Sequence, residues 1–221
     1  MVAEELINQM IPPLKPTDHV RKALQWMEEL RVNQLPVIEN DTYKGLVSED
    51  IIYHINDENA LIADLELICQ DVFVSYNQHF YDILKTSSLH AIQVVAVIGE
   101  EGNFLGVVTL NDTINAFAES SSMQDAGGII VLLIDKRDYS LTEISRLVES
   151  NNAKILSTYI TDDKNDYNQL RVTLKVDKTD LNRIAATFER FNYRIIAKFQ
   201  SVEHRDFEKD RLDLLLKYLE M

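Results

Sequence analysis

The chain has 221 residues, 46% of them hydrophobic, with a mean hydropathy of −0.15, enough apolar material for one or two cores in a globular protein. Its 22 basic and 36 acidic residues give a net charge of −14. The basic residues form no cluster, which argues against nucleic acid or an anionic membrane surface as a partner. No apolar run approaches the roughly 20 residues needed to cross a bilayer.

The opening MVAEELINQM is acidic and has no apolar signal core, so it reads as no export signal. The single cysteine, Cys69, excludes an internal disulfide, and the cytoplasm is the expected home. Lys15-Pro16-Thr17-Asp18 reads as a turn leading into a helix, with Thr17 or Asp18 as the capping oxygen. Val20, Leu24, Met27 and Leu30 then recur at helical spacing. The apolar run Leu35-Pro36-Val37-Ile38, a turn at Glu39-Asn40-Asp41 and Lys44-Gly45-Leu46-Val47 predict a pair of strands. Ser48 caps a second helix carrying Ile51, Ile52 and Ile55.

The same order recurs from Val72. A strand at Val72-Phe73-Val74 precedes a helix with Phe80, Ile83 and Leu84 inward, and Val94 to Ile98 is the next strand. Gly99-Glu100-Glu101-Gly102 is a turn, and Phe104 to Val108 is the paired strand. Thr109 opens a helix with Ile114 and Phe117. The phrases GLVSEDII at Gly45 and GVVTLNDT at Gly106 therefore mark two copies of one unit, too small to be stable singly but able to share a core.

The last hundred residues do not repeat it. Ala118 to Gly128 reads as a linker and turn, and Ile129 to Ile134 as a buried strand. Ser140-Leu141-Thr142-Glu143 is a capping box opening a helix with Leu141, Ile144, Leu147 and Val148. Ala153 to Thr161 is a strand, and Asp162 to Asp166 a charged turn. Leu170, Val172, Leu174 and Val176 alternate as a strand with one wet face. Thr179 or Asp180 caps a helix with Leu181, Ile184, Ala185 and Phe188, and Arg194 to Val202 is a last strand. A helix over 204–221 carries Phe207, Leu212, Leu215, Leu216 and Leu219. The fold class is α/β (α+β), divided as 1–60, 61–122, 127–203 and 204–221. The third division has the β-α-β-β-α-β order of a ferredoxin-like layout.

The repeated phrase, apolar-Pro-Val, turn, Gly-apolar-apolar-Ser/Thr and an acidic helix start, resembles the CBS domain, and its doubling resembles the CBS pair or Bateman module. The third division resembles an ACT domain. The domain order as a whole is similar to the AcuB-type (acetoin-utilisation) architecture. The resemblance implies a cleft for an adenosine-containing ligand such as AMP, ADP, ATP or S-adenosylmethionine. It places Thr109 and Asp112 at the ligand, with Val74, Val94 and Ala96 as apolar walls for a purine. It further implies a homodimer and a regulated enzyme as partner.

The chemistry agrees with those positions. A hydroxyl and free amides where a strand meets a helix can face a phosphate, and a carboxylate three residues on can accept from both ribose hydroxyls. In the first copy, Ser48 is followed by Asp50 one position early and by Ile51 in the expected place. One position is a rotation of about 100° on a helix, so the second copy is the expected site. Thr109 and Asp112 also fit simple helix capping. Lys15, Arg21, Lys22 and Lys85 are the candidate cations for a phosphate tail. The loop from Asp135 to Ser140 lacks the glycine that amino-acid-binding ACT domains carry. That favours a structural role for the division, with amino-acid sensing as an alternative. A protein-contact scaffold that binds no small molecule is another.

The five histidines, His19, His54, His79, His90 and His204, are scattered. None pairs with another or with Cys69 at metal-ligand spacing. There is no glycine-rich phosphate loop, nucleophile elbow or HExxH run. The sequence reads as a non-catalytic regulatory protein.

Overall fold

The phrase shared by Gly45 and Gly106 is a shared hydrogen-bond register. The structure, a computed structural model, describes residues 1–55 and 57–200, so the helix expected over 204–221 lies outside the described residues. They divide into two compact units, Met1–Glu119 and the part from Ser120 onward.

The first unit begins with a 3-10 turn, Ala3–Leu6, followed by α1 (Val20–Leu30), β1 (Gln34–Glu39), β2 (Thr42–Ser48) and α2 (Glu49–Ile55). A second 3-10 turn, Ile62–Asp64, leads to β3 (Phe73–Ser75), α3 (Phe80–His90), β4 (Val94–Ile98), β5 (Phe104–Thr109) and α4 (Leu110–Ala118). β1 and β2 are antiparallel, with Gln34 opposite Ser48, Val37 opposite Gly45 and a register shift after Val37. β4 and β5 repeat this, with Val94 opposite Thr109, Val97 opposite Gly106 and a shift after Val97. β3 adds in parallel to β4. Its counterpart in the first copy is a single bridge, Leu14 to Val37. Pro12, Pro13 and Pro16 surround Leu14 and cannot donate to a ladder.

The leading segments are exchanged between the copies. Residues 2–8 run along the second copy: Ala3 N donates to Gln78 O at 2.9 Å, Glu4 N to Tyr76 O at 3.0 Å and Asn8 N to Val107 O at 2.8 Å. Residues 60–68 run along the first: Ile62 N donates to Asp18 O at 2.9 Å, and Leu46 and Ile68 exchange bonds of 2.8 and 2.9 Å. This explains the two glycines. A Cβ at Gly45, whose φ is +139°, would lie 2.8 Å from Ile68 O, and one at Gly106 would lie 2.5 Å from Ile7 Cγ2. Each glycine admits the strap that crosses it. The cores are mixed too. Val94 and Val107 pack with Leu14, Leu35 and Ile52, while Tyr43 and Leu46 pack with Ile83 and Val95.

Several expected details differ. α1 is capped at His19, with no side-chain bond to its amides. Asp18 instead closes the preceding turn, accepting from Lys15 N at 2.8 Å and from Lys22 Nζ at 2.8 Å. Ile55, Ile114 and Phe117 are exposed, because the inward faces of their helices are filled by Ile52 and Thr113.

The second unit contains α5 (Ser121–Gln124), β6 (Gly128–Asp135), α6 (Leu141–Glu149), β7 (Ile155–Asp162), β8 (Gln169–Val176), α7 (Asn182–Arg190) and β9 (Arg194–Phe199). The linker expected over 118–128 thus holds a short helix. The sheet order is β7-β8-β6-β9, with every neighbouring pair antiparallel. α6 and α7 supply Ile144, Leu147, Ile184 and Phe188 to a core shared with Ile130, Leu132, Val172 and Leu174. β6 alternates buried and half-buried along its length, so one face of the expected buried strand is fully buried and the other partly. Ser140 Oγ accepts from Glu143 N at 3.3 Å. α7 is capped at Leu181, and Asp180 accepts from Asn182 N at 3.0 Å.

Candidate functional site

Thr109 is the last residue of β5 and the cap of α4, in extended conformation. Its Oγ1 accepts from Asp112 N at 3.0 Å and donates to Asp112 Oδ2 at 2.6 Å. The same Oδ2 accepts from Thr109 N at 3.1 Å and from Asn8 Nδ2 at 2.9 Å. One carboxylate oxygen thus holds three donors, while Oδ1 accepts no hydrogen bond among the described residues. Thr113 Oγ1 donates to Thr109 O at 3.1 Å and fixes the first turn from beneath. The arrangement is a complete capping box, tied by Asn8 to the exchanged strap.

Beside it lies a cleft of about 490 Å³. Asn8, Met10 and Ile11 of the strap line one side, and Leu30, Arg31 and Val32 at the end of α1 another. Gln93 and the run Thr109 to Asp112 complete the lining. Only Arg31 and Asp112 among these carry charge, and no ion pair joins them. The lining is otherwise neutral, half of it apolar, in a chain of net charge −14. Such a cleft can take a flat, partly apolar body with hydroxyls at the Asp112 end and an anionic group at the Arg31 end.

The structure brings Thr109 and Asp112 together at this cleft and leaves the expected purine walls outside it. Val74, Val94 and Ala96 are 1%, 0% and 0% exposed and belong to the two cores. β4 is buried along its whole length, so neither of its faces is free to line a cavity. In the first copy, Ser48 Oγ accepts from Ile51 N at 3.4 Å, and Ile51 packs against the core where the second copy has Asp112. Asp50 is exposed, and its carbonyl oxygen meets His54 Nδ1 at 2.6 Å.

None of the expected cations lines the cleft. Arg21 pairs with Glu58 at 3.1 Å, and Lys22 pairs with Asp18 at 2.8 Å while lying 4.3 Å over the Trp26 ring. Lys15 borders a different hollow, with Ile38 and Asp41, and Lys85 is exposed on α3. Arg31, Asn8 and Gln93 are the polar residues that sequence reading missed. Asn8 and Gln93 arrive through the exchanged strap and the facing copy, which no local pattern marks. Arg31 did carry a signal. It follows the last apolar residue of α1, where a glycine usually ends a helix, and its φ is 55°. Among the described residues no group of three or more His, Cys, Asp or Glu is placed to hold a metal ion. No helix among them is long and apolar enough to cross a membrane.

Comparison with known proteins finds a match in the first copy: residues 3–55 match the CBS domain family model. The chain is similar to inosine-5'-monophosphate dehydrogenase of Methanocaldococcus jannaschii, 19% identical over 152 residues, covering 67% of this chain and 30% of that protein. It is also similar to arabinose 5-phosphate isomerase KdsD of Francisella tularensis, 28% identical over 108 residues, covering 47% of this chain and 33% of that protein. The chain thus spans about a third of the length of these curated relatives. Among solved structures, a CBS domain pair/ACT domain protein from Thermotoga maritima aligns with a TM-score of 0.48 and 22% identity. That alignment covers 54% of this chain and 98% of the other.

Proposed function

We propose that the protein is a non-catalytic regulator whose first unit is a CBS pair binding an adenine nucleotide or other adenosyl ligand at the Thr109–Asp112 cleft. The single observation that carries this reading is the cleft itself: a free carboxylate oxygen and an unpaired guanidinium line one cavity of nucleotide dimensions. Residues 61–122 act as the second CBS repeat, supported by the register they share with the first. The second unit is a ferredoxin-like, ACT-like module, supported by its βαββαβ order and its β7-β8-β6-β9 sheet. Ligand binding shifts the balance between two arrangements of the repeats or of a homodimer, and a regulated enzyme in the cytoplasm reads that shift. The ligand must bind one arrangement better than the other for this to work.

A second reading, a scaffold without a small-molecule ligand, is favoured by one observation. Asp112 Oδ2 is already saturated by Thr109 and Asn8, so capping alone accounts for it. A thermal-shift screen of AMP, ADP, ATP, S-adenosylmethionine and amino acids, with native mass spectrometry of the purified protein, separates the readings. A rise in Tm with an adenosyl compound supports the sensor, and no response to any compound supports the scaffold. A response to amino acids alone would move the sensing role to the second unit.

A further inference from the structure

We propose that Arg31 is the anion-binding and specificity-determining residue of the Asp112 cleft, and that it selects a phosphorylated nucleoside over the uncharged nucleoside and over a sulfonium-bearing adenosyl compound. The inference rests on the reading of the cleft as a ligand site. It starts from the end of α1. Arg31 ends α1 in the left-handed region, at φ 55° and ψ 43°, with its N–H donating to Glu28 O at 3.3 Å. A glycine adopts that conformation freely and an arginine does not. The side chain makes no ion pair among the described residues, whereas Arg21 and Lys22 on the same helix are committed to carboxylates. The Arg31 guanidinium lines the cleft without such a commitment and can therefore meet an anionic ligand.

The equivalent position of the second copy is Ala91, also left-handed at φ 53° and uncharged. The conformation is thus common to both copies, and the charge belongs to this cleft alone. Among the described residues, Arg31 is the only cation lining it. In a chain of net charge −14, an anionic ligand needs a local cation to offset the repulsive field. A guanidinium presents paired donors that match two oxygens of one phosphate group. Asp112 sits in the same cavity without neutralising Arg31, and its free Oδ1 can accept from ribose hydroxyls. The two charges define a ligand with hydroxyls at one end and a phosphate at the other.

The test is titration calorimetry of the full chain with AMP, adenosine and S-adenosylmethionine. It compares the native protein with Arg31→Gly, Arg31→Lys and Asp112→Ala. The native protein should bind AMP about tenfold or more tighter than adenosine, and S-adenosylmethionine more weakly than AMP. Arg31→Gly should erase the AMP preference, leave adenosine binding unchanged and leave Tm equal or higher, because glycine suits the site. Arg31→Lys should restore part of the preference, and Asp112→Ala should lose both nucleosides. An AMP preference that survives Arg31→Gly overturns the assignment of Arg31. Equal affinity of the native protein for AMP and adenosine also overturns it while leaving the cleft as a nucleoside site. Binding of none of the three compounds overturns the cleft reading and this proposal together.

Discussion

Asn8 Nδ2 donates to Asp112 Oδ2 at 2.9 Å across 104 positions of sequence. The contact joins the strap of residues 2–8 to the first turn of α4, and it places the candidate ligand carboxylate in the same network as the chain's leading segment. Any group that competes for Asp112 therefore also loosens the strap.

Replacing Asn8 with alanine should lower stability by about 1 kcal/mol, the usual net worth of one hydrogen bond. Urea denaturation measures this. Amide exchange at Ala3, Glu4 and the substituted position 8 should accelerate in the same variant. Unchanged exchange there would show that the backbone bonds to Gln78, Tyr76 and Val107 hold the strap without Asn8.

Asp112→Ala should abolish adenine-nucleotide binding in calorimetry and cost about 1 kcal/mol of stability through the lost capping box. Asp50→Ala should change neither, since Asp50 is exposed and Ile51 fills the equivalent place. Equal effects of the two substitutions on binding would remove the asymmetry between the copies.

Gly45→Ala should be far more costly than Gly102→Ala. Both glycines have positive φ, +139° and +81°. A Cβ at Gly45 meets the Ile68 carbonyl oxygen at 2.8 Å, whereas one at Gly102 meets nothing within 4 Å. Gly102→Ala should cost about 1 kcal/mol of backbone strain, and Gly45→Ala roughly 2–3 kcal/mol or more because the strap must also move. Thermal melts of the two variants decide it, and similar Tm values would show that the strap yields easily.

Acid should weaken the second unit through Asp163. Its side chain is 4% exposed, with Oδ1 accepting from Arg171 Nε at 2.5 Å and Oδ2 accepting from Asn165 N at 2.9 Å. The Arg171 hydrogen bond, helped by the Asn165 and Asp166 backbone amides, holds its carboxyl below the ordinary carboxylate range. A lowered folded pKa means the unfolded chain binds more protons near that range. The contribution is then complete above the unfolded value of about 3.9 and is lost as pH falls through the folded value. Denaturation between pH 5 and 2 should show this loss, and Asp163→Asn should flatten that limb. A limb of unchanged slope in Asp163→Asn would assign the acid sensitivity to other carboxylates.

What could be read in advance follows the range of the interactions involved. β4 and the Thr109 cap were legible because five consecutive apolar residues and a Thr-x-x-Asp spacing act locally. The cap of α1 was not, because Asp18 has two competing local donors, Lys15 N and Lys22 Nζ, and the turn won. Val74, Val94 and Ala96 read as cleft walls because they lie near Thr109 on the strands, but burial from both sides is a tertiary property. Arg31, Asn8 and Gln93 meet only because segments cross between copies, and no spacing in one dimension encodes that crossing.

The exchange of leading segments makes the halves of the first unit mutually incomplete. A polypeptide cut between the copies would give one piece with an uncovered Leu46 and another with an uncovered Val107. Each piece would still carry the ribbon that seals the other. Each half of the first unit is therefore completed only by the other.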